Sequence, residues 1–222
     1  MEQRVRVLIV GGSPEPSSAT LVGALAAQHD RVVAVDRGLD VLLEAGASCD
    51  VFCGDADSVN ERGAAEVRAC EAGESSAVGM VERYNPHKDL TDLALAFGAI
   101  EAHWPGADVT CTCLTGGNPD HALAVYGRLA SLPRGVSMRE DGFSARIMHT
   151  GSAWMLEGVV GSRFSFVPLS LVAVVSESGM RWELDHKHVE LLGDLGISNV
   201  IESERAVMTC HEGTIVAWCF EA

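Results

Sequence analysis

The sequence lacks long apolar runs, and its basic residues are few beside its acidic ones. No stretch approaches the roughly 20 apolar residues of a membrane span, and the short run before Gly11-Gly12 does not resemble a signal peptide. With 16 Lys and Arg against 31 Asp and Glu, the formal net charge of the 222 residues is −15. Such a surface repels the phosphates of nucleic acids and anionic lipids, so we expect neither as a partner. A phosphorylated substrate would need a metal ion or a local basic group.

The cysteines include no CxxC pair, which disfavours a zinc site. Their number is odd and most of them stand in apolar runs, so we expect buried, reduced thiols in a cytoplasmic protein. The alternative, zinc, would have to use Cys111 and Cys113, which are separated by one residue. The seven cysteines are Cys49, Cys53, Cys70, Cys111, Cys113, Cys210 and Cys219.

The first part of the chain alternates strand-like and helix-like segments. This alternation predicts an α/β domain at 1–132 with a mostly parallel sheet that is covered on both faces. The predicted strands are 5–10, 31–35, 50–53, 77–81 and 108–114, and the predicted helices are 20–28, 39–45, 90–102 and 121–132.

After residue 137 the pattern changes to short β-type runs separated by turn residues. This spacing predicts an antiparallel, all-β domain at 137–222 that forms a sandwich or is barrel-like. The predicted strands are 145–150, 153–157, 163–167, 171–176, 200–202, 206–210 and 214–220.

Aspartates follow the predicted strands of the α/β domain, at the sheet edge where such folds bind ligands. Each loop has an ordinary structural explanation as well. Asp36 would cap the helix near Leu39, and residues 54–58 would form an Asx turn. The other acids would cap helices or favour helix dipoles. The aspartates are Asp36, Asp55, Asp57, Asp89, Asp92 and Asp120.

Taken together, these loops predict a metal site. Asp55 and Asp57 are two residues apart, so in an extended segment both side chains leave the same side. Clustered carboxylates repel one another unless a cation joins them, and oxygen ligands of this kind suit Mg²⁺. The pairs Gly11-Gly12 and Gly116-Gly117 would let backbone N–H groups approach phosphates, although neither has the spacing of a known phosphate loop. The combination favours a nucleotide-dependent transferase.

Four motifs, in this order along the chain, resemble those of thiamine pyrophosphokinases. That family shows an Asp-Gly-Gly turn, then GDxDS, KDxTD and GGRxDH. The segments 167–169 (VPL), 176–184 (SESGMRWEL) and 197–199 (ISN) also resemble family segments, so the resemblance spans nearly the whole chain. The corresponding motifs here are Asp36-Arg37-Gly38, Gly54-Asp55-Ala56-Asp57-Ser58, Lys88-Asp89-Leu90-Thr91-Asp92 and Gly116-Gly117-Asn118-Pro119-Asp120-His121.

The resemblance implies an enzyme that transfers diphosphate from ATP to thiamine and releases AMP. It further implies that 1–132 binds ATP and Mg²⁺, that 137–222 binds thiamine, and that a homodimer holds thiamine between its subunits. It implies that Asp55, Asp57 and Asp92 hold Mg²⁺ and are catalytic together with Asp120. The remaining residues that it assigns to ATP or its phosphates are Asp36, Arg37, Lys88, Asp89, Gly116, Gly117, Asn118 and His121.

The same resemblance assigns a thiamine site to the all-β domain. Trp182 would stack on the cationic thiamine ring, because indole faces attract cations. The alternative is that Trp182 is a half-buried core residue. The polar neighbours that the resemblance assigns to thiamine are Ser176, Ser198 and Asn199.

Two positions depart from the family pattern. Asn118 stands where the family has arginine, and Arg37 stands where it has glycine. Loss of a guanidinium removes a bidentate phosphate contact, and we hypothesise that Arg37 replaces it. The alternative is that Arg37 is a solvated surface residue. Two other functions stay open: a non-catalytic thiamine or thiamine diphosphate binder, and a Mg²⁺-dependent phosphohydrolase. The complete set of Asp55, Asp57 and Asp92 favours an enzyme, and Trp182 favours thiamine over water.

Overall fold

The computed structural model describes residues 4–83 and 91–221, which form two compact units, Met1–Ala122 and Leu123–Ala222. The first unit contains a five-stranded parallel sheet in the order β5-β1-β2-β3-β4. Its three central strands, β1, β2 and β3, are almost continuously buried, as expected when helices cover a parallel sheet. The strands are β1 (Arg6–Val10), β2 (Arg31–Val35), β3 (Cys49–Cys53), β4 (Val78–Glu82) and β5 (Asp108–Thr112).

Helices connect these strands, and three of them begin at a polar capping side chain. Ser18, Asn60 and Thr91 each accept a hydrogen bond from a backbone N–H of the first helical turn. The predicted strand–helix alternation is therefore confirmed. The helices are α1 (Ala19–Gln28), α2 (Gly38–Glu44), α3 (Glu61–Glu71), α4 (Asp92–His103) and α5 (Pro119–Ala130). None of the helices within residues 4–83 and 91–221 is long and apolar enough to cross a membrane.

The second unit begins with residues 123–130, which form most of α5, and its strands are paired antiparallel. One of its sheets has the order β12-β9-β14-β7-β6, and the other has the order β11-β10-β13-β8. The strands are β6 (Ser137–Glu140), β7 (Phe143–His149), β8 (Ser152–Glu157), β9 (Arg163–Pro168), β10 (Val172–Ser178), β11 (Leu184–Glu190), β12 (Asn199–Val200), β13 (Arg205–Glu212) and β14 (Thr214–Phe220).

Side chains from both sheets of the second unit share one apolar core. Phe164 and Phe166 enter it from β9, and Val175 and Met208 enter it from the other sheet. The predicted antiparallel domain is thereby confirmed, whereas a barrel-like closure is not. The sequence did not indicate β11, since it is an edge strand on which Val189 is the one fully buried residue.

Close packing at the start of α2 gives a test of the first unit. A Cβ added at Gly38 would lie 2.0 Å from the carbonyl oxygen of Val10 in β1, so alanine there must push the helix from the sheet. We expect Gly38→Ala to lower the free energy of unfolding by about 1–3 kcal/mol in urea denaturation.

The matched control is Gly98→Ala in α4, where an added Cβ meets no atom within 4 Å. Because alanine is the better helix former, this control is expected to leave stability unchanged or to raise it by up to about 1 kcal/mol. Equal denaturation midpoints for the Gly38→Ala variant and the unsubstituted protein would contradict the packing described.

Candidate active site

The carboxyl ends of the parallel strands are joined by backbone hydrogen bonds between neighbouring loops. Gly11 N–H donates to the carbonyl of Thr112 at 2.9 Å, and Asp36 N–H donates to that of Cys53 at 3.1 Å. Gly54 N–H donates to the carbonyl of Glu82 at 3.2 Å. The loops that carry the candidate residues therefore lie side by side along one edge of the sheet.

Asp36 turns toward the loop that follows β3. Its φ of +48° is left-handed, and a Cβ on Gly54 would lie 2.2 Å from its Oδ1, so the carboxylate rests directly on that glycine. The alternative that Asp36 caps α2 is wrong, because the N-cap residue is Arg37 and no side chain caps this helix. Asp36 is thus placed at the sheet edge beside the loop of Asp55.

Asp55 and Asp57 form the centre of the acidic edge. Asp55 Oδ1 accepts a hydrogen bond from the N–H of Asp57 at 3.1 Å, and Ala56 between them has a φ of +65°, so the segment is an Asx turn rather than extended. The two carboxyl groups nevertheless stay close. The pKa of Asp57 is raised, mainly by a hydrogen bond to the Asp55 carboxyl and to a smaller extent by repulsion from the Asp55 charge.

Asp92 completes the acidic group from α4. It stands in the first turn of this helix, after the N-cap residue Thr91, and its negative charge adds to the rise in the pKa of Asp57. The charges of Asp55 and Asp92 therefore both reach Asp57, and these three residues are defined here as the acidic cluster. Within residues 4–83 and 91–221, no three or more Asp, Glu, His or Cys side chains are already arranged to hold a metal ion. Lys88 and Asp89 lie outside the described residues.

The glycine turn after β5 packs on the loop after β1. Gly116 and Gly117 have φ values of +97° and +70°, and side chains there would strike Glu15 and Pro14 respectively. The three polar residues that follow this turn are exposed at the same sheet edge: Asn118, Asp120 and His121.

A cleft of about 470 Å³ opens between the loop after β1, helix α2 and the start of α3. Arg37 borders it and donates from Nη2 to the carbonyl of Gly12 at 3.2 Å. Arg62 borders it as well, and no sequence pattern had distinguished that residue. The cleft thus presents two guanidinium groups together with the carboxylates of Asp40 and Glu44.

In the second unit, Trp182 is exposed. Its side chain is 59% accessible, so the alternative of a core tryptophan is wrong. The amide of Asn199, which is 4% exposed, bonds both the N–H and the C=O of Trp182. The neighbouring Ser198 is exposed and left-handed, with a φ of +64°, and its N–H donates to Ser165.

Ser176 lies in a hydrogen-bonded group with two histidines. Its Oγ is 2.8 Å from His211 Nε2 and accepts from the N–H of His186 at 2.9 Å. The two imidazole rings stack with centroids 4.0 Å apart. Register shifts on β10 at this point give the group its local geometry.

Glu177 is a buried residue that sequence reasoning did not find. It is 2% exposed, and burial raises the pKa of its carboxyl group to about 7. Its Oε2 accepts from Asn199 Nδ2 at 3.1 Å, whereas Oε1 has no partner in the described part of the chain. The alternation of Ala173 and Val175 along β10 was the available signal, because it places residue 177 on the same inner face.

A parallel α/β unit with clustered aspartates and glycine turns at its carboxyl edge is typical of enzymes that act on phosphorylated substrates. The comparison with known families identifies which kind. The model of the thiamin pyrophosphokinase catalytic domain matches residues 22–138, more than half of the chain, and that of the vitamin B1 binding domain matches residues 156–215. The chain belongs to the thiamine pyrophosphokinase family.

Similar proteins agree over nearly the full length. The thiamine pyrophosphokinase of Bacillus subtilis is 28% identical over 215 residues, which cover 94% of this chain and 95% of that protein. The crystal structure of thiamine pyrophosphokinase from Bacillus subtilis matches with a TM-score of 0.79 at 21% identity, covering 98% and 99% of the two chains. The enzyme structure from Candida albicans matches with a TM-score of 0.77 at 16% identity, covering 99% and 90%. These structural matches show a shared fold.

The acidic cluster gives a prediction about protonation. We expect Asp55→Asn to lower the pKa of Asp57, because the substitution removes both the carboxyl hydrogen bond and the nearest negative charge. Asp92→Asn, which removes a weaker influence, is expected to lower that pKa less. Carboxyl ¹³C NMR titration of the variants measures both shifts. An Asp57 pKa that is unchanged in Asp55→Asn would show that the two carboxyl groups are not neighbours.

Proposed function

We propose that the protein transfers a diphosphoryl group from ATP to thiamine and yields thiamine diphosphate and AMP. The observation that carries this proposal is the acidic cluster at the carboxyl edge of the parallel sheet, in a chain that belongs to the thiamine pyrophosphokinase family. We assign ATP binding and catalysis to residues 1–132 and thiamine binding to residues 137–222.

The acidic cluster is the place that we propose for Mg²⁺. Asp55, Asp57 and Asp92 would supply hard oxygen ligands. The pKa of Asp57 is raised first by a hydrogen bond to the Asp55 carboxyl and then by repulsion from the Asp55 charge, and a cation would relieve that repulsion. A bound Mg²⁺ would neutralise charge on the transferred phosphates. An acidic protein requires such neutralisation before a polyphosphate can approach this edge.

The transfer step requires alignment more than covalent assistance from the protein. The thiamine hydroxyl oxygen bonds to the β-phosphorus, and the bond from that phosphorus to the α,β-bridging oxygen breaks, so AMP leaves with that oxygen. The hydroxyl proton passes to water. We propose that Asp120 belongs to this transfer site with the acidic cluster. The residues that we propose for ATP and its phosphates are Asp36, Arg37, Lys88, Asp89, Gly116, Gly117, Asn118 and His121.

Thiamine recognition is proposed for the surface around Trp182. The exposed indole face of Trp182 attracts a cationic ring, and the attraction is stronger when the ring also displaces water. Ser176 and Ser198 are the polar neighbours that we propose on this surface. Asn199 belongs to the same site through its hydrogen bonds to the backbone of Trp182.

The proposed reaction is tested by Asp57→Asn. We expect kcat to fall by at least about a hundredfold, since loss of one electrostatic ligand costs about 3 kcal/mol or more of transition-state stabilisation. The control is Asp108→Asn, which removes an exposed carboxylate paired with Arg4 at the opposite end of β5. The measurement is AMP and thiamine diphosphate formation at saturating Mg²⁺. Turnover of Asp57→Asn close to that of the control would refute the assignment.

We propose that Arg37 supplies the cation that the family places at position 118. Its guanidinium reaches Gly12, and the turn before Asn118 packs on the adjacent Pro14, so both positions border the same loop. Arg37→Ala is expected to raise the KM for ATP or to lower kcat, and Arg37→Gly combined with Asn118→Arg is expected to recover much of the loss. Arg68→Ala, on the exposed face of α3, is the control. Unchanged ATP kinetics in Arg37→Ala would exclude this role.

We also propose that the protein is a homodimer and that it works in the cytoplasm. Its seven cysteines are free thiols, which fits a reducing compartment. Apolar side chains cluster at one end of the second unit, with Leu171 81% exposed and Leu192 57% exposed, and such patches mark protein interfaces.

Sedimentation equilibrium is expected to give twice the chain mass of 23.5 kDa at micromolar concentration. Leu171→Glu is expected to shift the equilibrium toward the monomer, because it places a charge in the apolar patch. A fully active protein that sediments only as a monomer would contradict the homodimer.

A further inference from the structure

Glu177 connects the two sheets of the second unit. It lies on the inner face of β10, and its Oε2 accepts a hydrogen bond from Asn199 Nδ2 at the start of β12 in the other sheet. Its pairing partners across β11 and β13 are the apolar Leu184 and Met208. A carboxyl group in this place is therefore surrounded mainly by core residues.

The amide of Asn199 has no hydrogen-bonding capacity left for a ligand. Nδ2 donates to Glu177 at 3.1 Å and to the carbonyl of Trp182 at 2.8 Å. Oδ1 accepts from the N–H groups of Trp182 at 3.2 Å and of Val200 at 2.9 Å. Since an amide has two donors and two acceptor positions, all four are in use. Asn199 thus fixes the backbone of Trp182 with an amide whose hydrogen bonds are all made within the protein.

The segment that carries Trp182 is held on both sides by similar bonds. Gly179 N–H donates to Glu183 Oε1 at 2.7 Å, and Arg181 N–H donates to the carbonyl of Val200 at 2.9 Å. The side chain of Arg181 pairs with Glu202. The indole of Trp182 stays exposed, while Asn199 fixes the backbone of this residue.

We propose that Glu177 is a positioning residue for thiamine: it orients the amide of Asn199, which fixes the backbone of Trp182 and with it the stacking face. This inference rests on the proposed function. Its physical basis is that a stacking side chain binds more tightly when its backbone is already fixed in the bound geometry, since less ordering remains to be done on binding.

A buried carboxyl group with one unpartnered oxygen is costly to the fold, and an apolar residue at position 177 would not carry that cost. Burial raises the pKa of its carboxyl group from an ordinary 4.5 to about 7, and Oε1 is buried without a partner among the described residues. The native state therefore holds this proton more tightly than the unfolded chain does. The contribution of this bound proton to the stability of the folded state is complete below pH 4.5 and is lost as the pH rises through 7. An apolar residue would avoid this loss.

The test measures thiamine binding and kinetics in Glu177→Leu, with Glu177→Gln as the conservative variant. Loss of the acceptor for Asn199 is expected to raise the Kd and KM for thiamine about tenfold, which corresponds to the free energy of one hydrogen bond. The KM for ATP and the kcat at saturating thiamine are expected to stay within about twofold of the wild-type values. Glu177→Gln keeps an acceptor and is expected to restore most of the affinity. The control, Glu204→Gln, removes an exposed carboxylate of the same unit and is expected to change neither.

A double variant tests whether the effect passes through Trp182. In a Trp182→Ala background, Glu177→Leu is expected to change the thiamine Kd by less than about twofold, because coupled residues are not additive. A tenfold effect that persists there would overturn the inference. Asn199→Asp, which loses both donors and keeps the acceptor, is a second variant should Glu177→Leu fail to fold, and it is expected to raise the same Kd.

The outcomes separate this inference from the proposed function. Calorimetric binding of thiamine without turnover would refute the proposed reaction, and the Kd of Glu177→Leu would still decide the role of Glu177. An unchanged Kd in Glu177→Leu, in a protein that does make thiamine diphosphate, would overturn the inference alone. A wild-type protein that does not bind thiamine would overturn both. Thermal melts add a check: Glu177→Gln is expected to raise Tm more at pH 8 than at pH 5.

Discussion

Repulsion between carboxylates is the constraint on which the first unit depends. Parallel strands end at the same sheet edge, so the loops that carry Asp36, Asp55 and Asp92 are brought together by the fold itself. The raised pKa of Asp57 shows the electrostatic consequence of that arrangement. The proposed cation would relieve the repulsion, and the same cation would admit a polyphosphate to a protein of net charge −15. Metal and nucleotide are therefore expected to bind cooperatively at this edge.

The second unit is proposed to bind a cation, so its site does not need a metal ion to neutralise the ligand. An indole face attracts such a ring without a metal, provided that the indole is exposed and held in place. Trp182 meets both conditions, being 59% exposed and bonded through its backbone to the buried amide of Asn199. The buried carboxyl of Glu177 stands behind that amide, and burial raises its pKa to about 7.

Strong periodic signals made most of the fold predictable from the sequence. The buried strands of the first unit and the helices with apolar faces were found, whereas α3 was not, because its polar sequence buries only Gly63 and Val67. The acidic loops were found from their motifs. Arg62 and Glu177 were not, because their significance comes from the residues that surround them in three dimensions. The helix-cap explanation of Asp36 failed for the same reason, since its carboxylate lies against Gly54 in the loop after β3 and Arg37 is the N-cap residue of α2.

Phosphorus-31 NMR of the wild-type protein with ATP, Mg²⁺ and thiamine tests the central claim most directly. Diphosphoryl transfer predicts that AMP and thiamine diphosphate appear together in equal amounts, and that neither appears when thiamine is omitted. Release of phosphate or diphosphate at the same rate with and without thiamine would contradict the claim and would indicate a phosphohydrolase. Binding of thiamine with no change in the ATP resonances would contradict it as well and would indicate a non-catalytic member of the family.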